Sequence, residues 1–252
     1  MNHEVNHFAM GHGMLVLAYF TSVTGSLLGL LCMSRARSMR EPRQKMMWTA
    51  LGALAIGGVG IWLMHFIAML GFTIPGAPIR YNAPVTALSA LIAVVVVGMG
   101  LFAVTWGPFR LWRLLLGGPI TGFGVASMHY MGMAAVRFQG KLTYNDTLVM
   151  LSVLIAAVAA TAAIWFTIVV RGWPATIAAG FVMGVAVTGM HYTGMAAVRV
   201  QVDTTLPTPA GTEVFGLVFP VFVIGGLVIA SLMWALATSF VEQEWLRVPR
   251  NI

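Results

Sequence analysis

The chain has 252 residues, 59% of them hydrophobic and only 8% charged, with a formal net charge of +7. Mean hydropathy is +0.89, whereas roughly a quarter of the residues in a soluble domain are charged, so the composition excludes a soluble fold and points to an all-α integral membrane protein. The basic residues sit beside apolar runs rather than among stacking aromatics, which excludes a nucleic-acid partner, and the single cysteine, Cys32, excludes an intrachain disulfide or a cysteine-based zinc site.

Apolar runs of about 20 residues predict membrane-spanning helices. Seven follow in chain order, at about 13–33, 47–72, 84–106, 111–136, 147–170, 174–198 and 214–240. No basic segment of a signal peptide precedes the first, so it is expected to persist as a helix. The connectors hold the breakers: Pro75, Pro78 and Pro84, then Pro108, Trp173-Pro174, and Pro207 with Pro209. Arg35, Arg37, Arg40, Arg43, Lys45, Arg110, Arg113, Arg171, Arg247 and Arg250 fall on one side of this arrangement, against Arg80, Arg137, Lys141 and Arg199 on the other. That bias puts the N-terminus outside and the C-terminus in the cytoplasm. The stretch after Phe240 is too short for a folded output domain, so residues 1–252 read as one membrane domain.

One hexapeptide recurs in the second, fourth and sixth predicted helices: Met64-His65-Phe66-Ile67-Ala68-Met69, Met128-His129-Tyr130-Met131-Gly132-Met133 and Met190-His191-Tyr192-Thr193-Gly194-Met195. Histidine in hydrocarbon is costly and marks a functional site by default. All three motifs fall in the half of the helix nearer the outer face. Arg137 and Arg199 each follow a histidine by eight residues, about 12 Å if the helix continues. The histidines repeat at intervals of 64 and 62 residues, one helical hairpin per unit, so the chain reads as three related hairpins plus a seventh helix.

Seven residues before each histidine stands a glycine: Gly58, Gly122 and Gly184. Two turns apart, glycine and histidine share a face, and small residues let membrane helices approach closely. Gly118 and Gly180 extend two of these faces, and Gly25 with Gly29 form another in the first helix. The histidines are therefore expected inside the bundle.

Residues i and i+4 are neighbours on a helix, so His65–Met69, His129–Met133 and His191–Met195 form three imidazole–thioether pairs. That donor set suits a soft or borderline metal, copper above all; haem with histidine or methionine ligands is the competing cofactor. Met64, Met128 and Met190 lie about 100° round the helix and are secondary ligand candidates, as is His12 at the start of the first helix. Tyr130, Tyr192 and the equivalent Phe66 stand next to the site. His3, His7, Met10 and Met14 are weaker candidates at the same face. A hydrogen-bonded polar core is the alternative to a metal.

At these residues the sequence resembles the MHYT family of bacterial integral membrane sensors. Met190-His191-Tyr192-Thr193 matches its motif letter for letter; the second copy departs at the fourth place and the first at the third and fourth. The resemblance covers nearly the whole chain. It implies an inner-membrane sensor that binds copper through the motif Met and His residues near the periplasmic face. It also implies sensing of a diatomic gas (oxygen, carbon monoxide or nitric oxide) and a cytoplasmic signalling partner. A copper transporter would need ligands at several depths, and none recur in the other leaflet. A membrane metalloenzyme is the third reading, with no residue fixing a substrate.

Overall fold

The computed structural model describes residues 2–3 and 12–247, with side chains from 12 to 239. His7, Met10, Arg250 and the side chains of His3 and Arg247 lie outside the described residues. Seven long helices form among those described: α1 (Gly13–Ser38), α2 (Pro42–Leu70), α3 (Ala83–Thr105), α4 (Leu111–Ala134), α5 (Asp146–Val169), α6 (Trp173–Ala196) and α7 (Val214–Arg247). All but α4 are long and apolar enough to cross a membrane by length and composition. Within α4, Arg113, Gly117, Gly118, Pro119 and Thr121 dilute the apolar character of a 24-residue helix.

Local chemistry sets the helix starts. Pro42 and Pro174 occupy the first turns of α2 and α6, where a missing N–H costs nothing. Asn82 and Asn145 cap α3 and α5: their Oδ1 atoms accept from the backbone N–H groups of Val85 and Leu148. The same two asparagines use their own N–H groups to bond the carbonyls of Ala135 and Ala197, just past the motif helices α4 and α6. The internal repeat is therefore visible in the hydrogen bonding.

Helices α1 to α6 pack as a closed ring in chain order, α6 returning to α1, while α7 lies outside against α1 and α2. Glycines set the close approaches. A Cβ on Gly25 would strike the backbone of Gly60, on Gly122 the backbone of Ala157, on Gly118 the side chain of Thr161, and on Gly184 the side chain of Val23. The motif helices thereby press against the ring neighbours α5 and α1.

In α2 the register differs from the expectation. Residues Leu54–Leu63 are π-helical. Gly58, the expected contact glycine, meets only side-chain ends of Leu54 and Val94, whereas a Cβ on Gly57 would fall 2.6 Å from the Ala93 carbonyl oxygen of α3. The contact glycine thus stands eight residues before the histidine in this copy and seven in the other two. A π-bulge accommodates one extra residue in a helix, and that accounts for the offset.

Six short strands cap the end where the motif helices finish: β1 (Asn2–His3), β2 (Arg80–Tyr81), β3 (Val136–Arg137), β4 (Gly140–Tyr144), β5 (Val198–Val202) and β6 (Thr212–Glu213). They form two antiparallel sheets, ordered β1-β5-β4 and β3-β2-β6. Arg137 and Arg199 lie in these strands, so the helical rise from the histidines does not extend to them. At the opposite, arginine-rich end the buried Arg35 of α1 donates Nη2 to the Ser239 carbonyl of α7, at 2.5 Å, and its guanidinium lies 5.8 Å from the Trp48 ring centre of α2.

Candidate metal centre

The three motif helices come from three hairpins and meet at their histidines. His65, His129 and His191 are 4%, 1% and 2% exposed. Their ring centres stand 5.0, 5.0 and 5.1 Å apart, with planes near perpendicular at 81°, 78° and 89°. The arrangement is a three-bladed propeller with nearly equal edges. Its Nδ1 atoms converge: His65 lies 3.1 Å from His191 and 3.2 Å from His129, nitrogen to nitrogen. One ligand atom from each ring lies within 4.8 Å of the others.

Two features decide how this cluster can be satisfied. A ring nitrogen carries either one proton or one lone pair, yet Nδ1 of His65 faces the Nδ1 atoms of both neighbours. It can make a good hydrogen bond with only one of them. A cation that accepts lone pairs from all three rings removes the conflict. The size also fits. Two nitrogens about 2.0–2.1 Å from one first-row ion, at a tetrahedral angle, stand about 3.3–3.4 Å apart, within a few tenths of an ångström of the observed separations.

The motif glycines explain how three rings fit at the centre of a helical bundle. A Cβ on Gly132 would fall on Nε2 of His65, and a Cβ on Gly194 would lie 2.5 Å from Nε2 of His129. The glycine of one motif therefore seats the histidine of the preceding copy. Ala68 is the corresponding residue of the first copy. Nε2 of His129 is buried beside Gly194 without a hydrogen-bond partner, so that ring is held by shape and by its Nδ1 side.

The other expected residues separate into layers. Met69, Met133 and Met195 are all buried and form one cluster with Phe72, Ile74, Tyr81, Val136, Val198 and Val200 of the cap. They lie one helical turn beyond the histidines, toward the cap, where each chain leaves its motif helix. Met64 packs with Ala18, Val59 and Ile67, while Met128 and Met190 belong to the central bundle core. His12 is exposed at the start of α1 and is not part of the triad, whose members come from α2, α4 and α6. Of the aromatic residues that follow the histidines, Tyr192 packs against the cluster of Ala18, Val59 and Met64. The Tyr130 hydroxyl is 2.6 Å from Ser152 Oγ of α5, and Phe66 stacks on Trp62 and approaches Tyr81.

Beyond the motif letters, one sequence signal locates this geometry. Gly-Met-Ala-Ala-Val-Arg occurs at 132–137 and again at 194–199, joining the seat glycine, the cap methionine and the first strand residues. In the cap, burial pushes the Tyr81 hydroxyl well above the usual tyrosine range, and burial together with nearby Tyr130 raises that of Tyr144.

The bacterial signalling protein N-terminal repeat called MHYT matches residues 58–118 and 122–180. The bifunctional diguanylate cyclase/cyclic di-GMP phosphodiesterase MucR of Pseudomonas aeruginosa is 38% identical over 190 residues, 73% of this chain and 27% of that protein. The chain belongs to the MHYT family. The cyclic di-GMP phosphodiesterase NbdA of the same organism is 36% identical over 206 residues, 79% of this chain and 25% of that one. The signalling protein YkoW of Bacillus subtilis is 30% identical over 210 residues, 80% of this chain and 26% of that one. The MHYT chain thus spans about a quarter of the length of these relatives. No solved structure matches it. The two matched MHYT segments begin at Gly58 and Gly122, one hairpin period apart.

Proposed function

We propose that this MHYT chain is a sensor module of the bacterial inner membrane in which His65, His129 and His191 hold one soft or borderline metal ion. In this reading all seven helices cross the membrane, with the strand cap periplasmic and the arginine-rich end cytoplasmic, and the bias of Arg and Lys toward that end supports the orientation. The convergence of three buried Nδ1 atoms carries the reading. Copper is favoured because the next layer toward the cap consists of three thioethers, Met69, Met133 and Met195, and imidazole with thioether suits copper best among common metals. When bound, copper supplies a redox-active centre able to take a diatomic gas such as oxygen, carbon monoxide or nitric oxide. Haem fits less well, because imidazoles packed edge to face at about 5 Å leave no slot for a flat macrocycle between them.

The residues around the site have separable tasks. The triad joins α2, α4 and α6, which otherwise contact mainly their ring neighbours, so a change in ring spacing moves three hairpins relative to one another. Gly132 and Gly194 fix the ring positions. The cap closes the site over the methionines. At the far end Arg35 ties α1 to α7 and lies against Trp48 of α2, so helix movement reaches the face at which a cytoplasmic signalling partner would couple. The cyclase and phosphodiesterase activities named for MucR and NbdA suggest that this partner turns over cyclic di-GMP.

Elemental analysis with an absorption spectrum of the purified chain tests the proposal. Copper in the protein, lost in His65→Ala, His129→Ala and His191→Ala alike, and a spectral change with carbon monoxide or nitric oxide are expected. Metal-free wild-type protein of normal stability would refute the metal site. Metal without a gas response would refute only the gas ligand. An intense Soret band would point to haem.

A further inference from the structure

We propose that a cavity at the arginine-rich end binds a phosphate oxyanion, supplied by the headgroup of an anionic phospholipid. The cavity, about 160 Å³, opens between α1, α5 and α6 and is lined by Ser34, Arg37, Arg171 and Thr176 with the apolar Leu30, Leu31, Phe166, Val170 and Trp173. It is separated from the histidine triad by most of the length of the helices.

Among the described residues no carboxylate compensates its charge. Nη2 of Arg37 and Nη1 of Arg171 both donate to the Val170 carbonyl oxygen, each at 3.1 Å. Two guanidinium groups, from α1 and from the α5–α6 connection, thereby share an acceptor, and Nη1 of Arg171 also donates to the Ile168 carbonyl at 2.8 Å. No lining residue is acidic, and the ion pair found among the described residues, Arg80–Glu213, belongs to the cap at the other end. Nη1 of Arg37 is buried and has no hydrogen-bond partner among the described residues. Guanidinium groups with spare, oriented N–H donors are suited to phosphate oxygens. Gly172, at φ 74, turns the chain so that α6 starts at Trp173 with no side-chain cap at its N-terminus, adding positive potential at the same mouth.

The lining selects a lipid over free phosphate. Its polar groups gather where the helices end, while Leu30, Leu31 and Phe166 lie deeper along them, the polarity gradient of a headgroup joined to its acyl chains. Trp173 is exposed beside it, as expected of an aromatic at a membrane interface. The volume exceeds the roughly 30 Å³ that one water occupies in the liquid, leaving room for a phosphodiester. Anionic lipids enrich the cytoplasmic leaflet, the side to which the basic residues assign this end.

Native mass spectrometry and thermal unfolding of the full chain in detergent test the site, with phosphatidylglycerol, phosphatidylcholine and inorganic phosphate as probes. Retained phosphatidylglycerol and a raised Tm are expected with that lipid alone. Arg171→Gln, at an exposed position, should weaken retention about tenfold, the scale of a lost charge-assisted hydrogen bond, and Arg37→Gln/Arg171→Gln should abolish it. Arg113→Gln, which removes a half-exposed cation at the same end but outside the cavity, should leave it unchanged. Equal losses in Arg171→Gln and Arg113→Gln would show diffuse attraction and overturn the site. Equal stabilisation by inorganic phosphate would overturn the lipid assignment. The result for Arg171→Gln decides even if the double variant fails to fold. All these measurements can be made on metal-free protein, so failure of the metal centre leaves the lipid site standing or falling by itself.

Discussion

Replacing Gly194 with alanine tests the interlocking of the motifs. The added Cβ would sit 2.5 Å from Nε2, 3.0 Å from Cδ2 and 3.3 Å from Cε1 of His129, where ordinary contact begins at 3.4 Å. The ring must therefore recede by about 0.9 Å, several times the roughly 0.2 Å tolerance of a metal–ligand bond. Overpacking of this kind costs about 1–3 kcal/mol, and the gain in helix propensity returns up to about 1 kcal/mol. The fold should survive with a net loss of up to about 2 kcal/mol, while metal affinity should fall about 10- to 100-fold, the range seen when support for a ligand is lost. Gly189→Ala is the matched control on the same helix, because nothing lies within 4 Å of its added Cβ; it should be neutral or slightly stabilising and retain metal. Metal content by elemental analysis and Tm in detergent read both. Wild-type metal content and Tm in Gly194→Ala would refute the seating of His129 by this glycine.

The π-helical offset predicts that Gly57→Ala destabilises by about 1–3 kcal/mol through its clash with the Ala93 carbonyl, while Gly58→Ala, facing flexible side chains, is tolerated; thermal unfolding separates them, and equal effects would contradict the offset. Tyr130→Phe should cost about 0.5–1.5 kcal/mol by breaking the bond to Ser152, yet keep full metal content, since the phenol serves α4–α5 packing; loss of metal would instead place the hydroxyl in the site. Tyr81 has a folded-state pKa raised by burial. Below the ordinary tyrosine range, about pH 10, it is neutral whether the cap is folded or open, and its contribution is intact. As pH rises beyond that, only the opened cap can ionise it, so stability falls. Tyr81→Phe should flatten this alkaline loss, read by Tm against pH, and an unchanged profile would remove Tyr81 from the explanation.

Much of the centre is legible in the letters. His65, His129 and His191 repeat with the hairpin period, and a glycine two turns below says that they face inward. The pairing within each helix, His-x-x-x-Met, is also a local matter of 3.6 residues per turn, and it put the methionines one layer from the imidazoles. Which helix a motif glycine serves was not legible: the space at Gly132 and Gly194 is filled by a histidine from another hairpin. Gly58 was misplaced by one because a π-helical turn leaves no distinct mark in a run as apolar as Leu54–Leu63. The cap strands, two to five residues long, are too short for an alternating pattern to show.

By itself the sequence determined that the chain is a membrane protein of repeated helical hairpins, that its three motif histidines are internal, and that its basic residues gather at one end. These follow from hydropathy and helical periodicity, which act within single segments. Only the tertiary structure decided that the three histidines form one cluster rather than three His–Met pairs, that neighbouring motifs seat one another, and that two arginines from distant segments share a carbonyl at the edge of a cavity. Such contacts join residues 64 to 133 positions apart, and their distances depend on how closely glycine faces let the helices approach, which no single segment encodes.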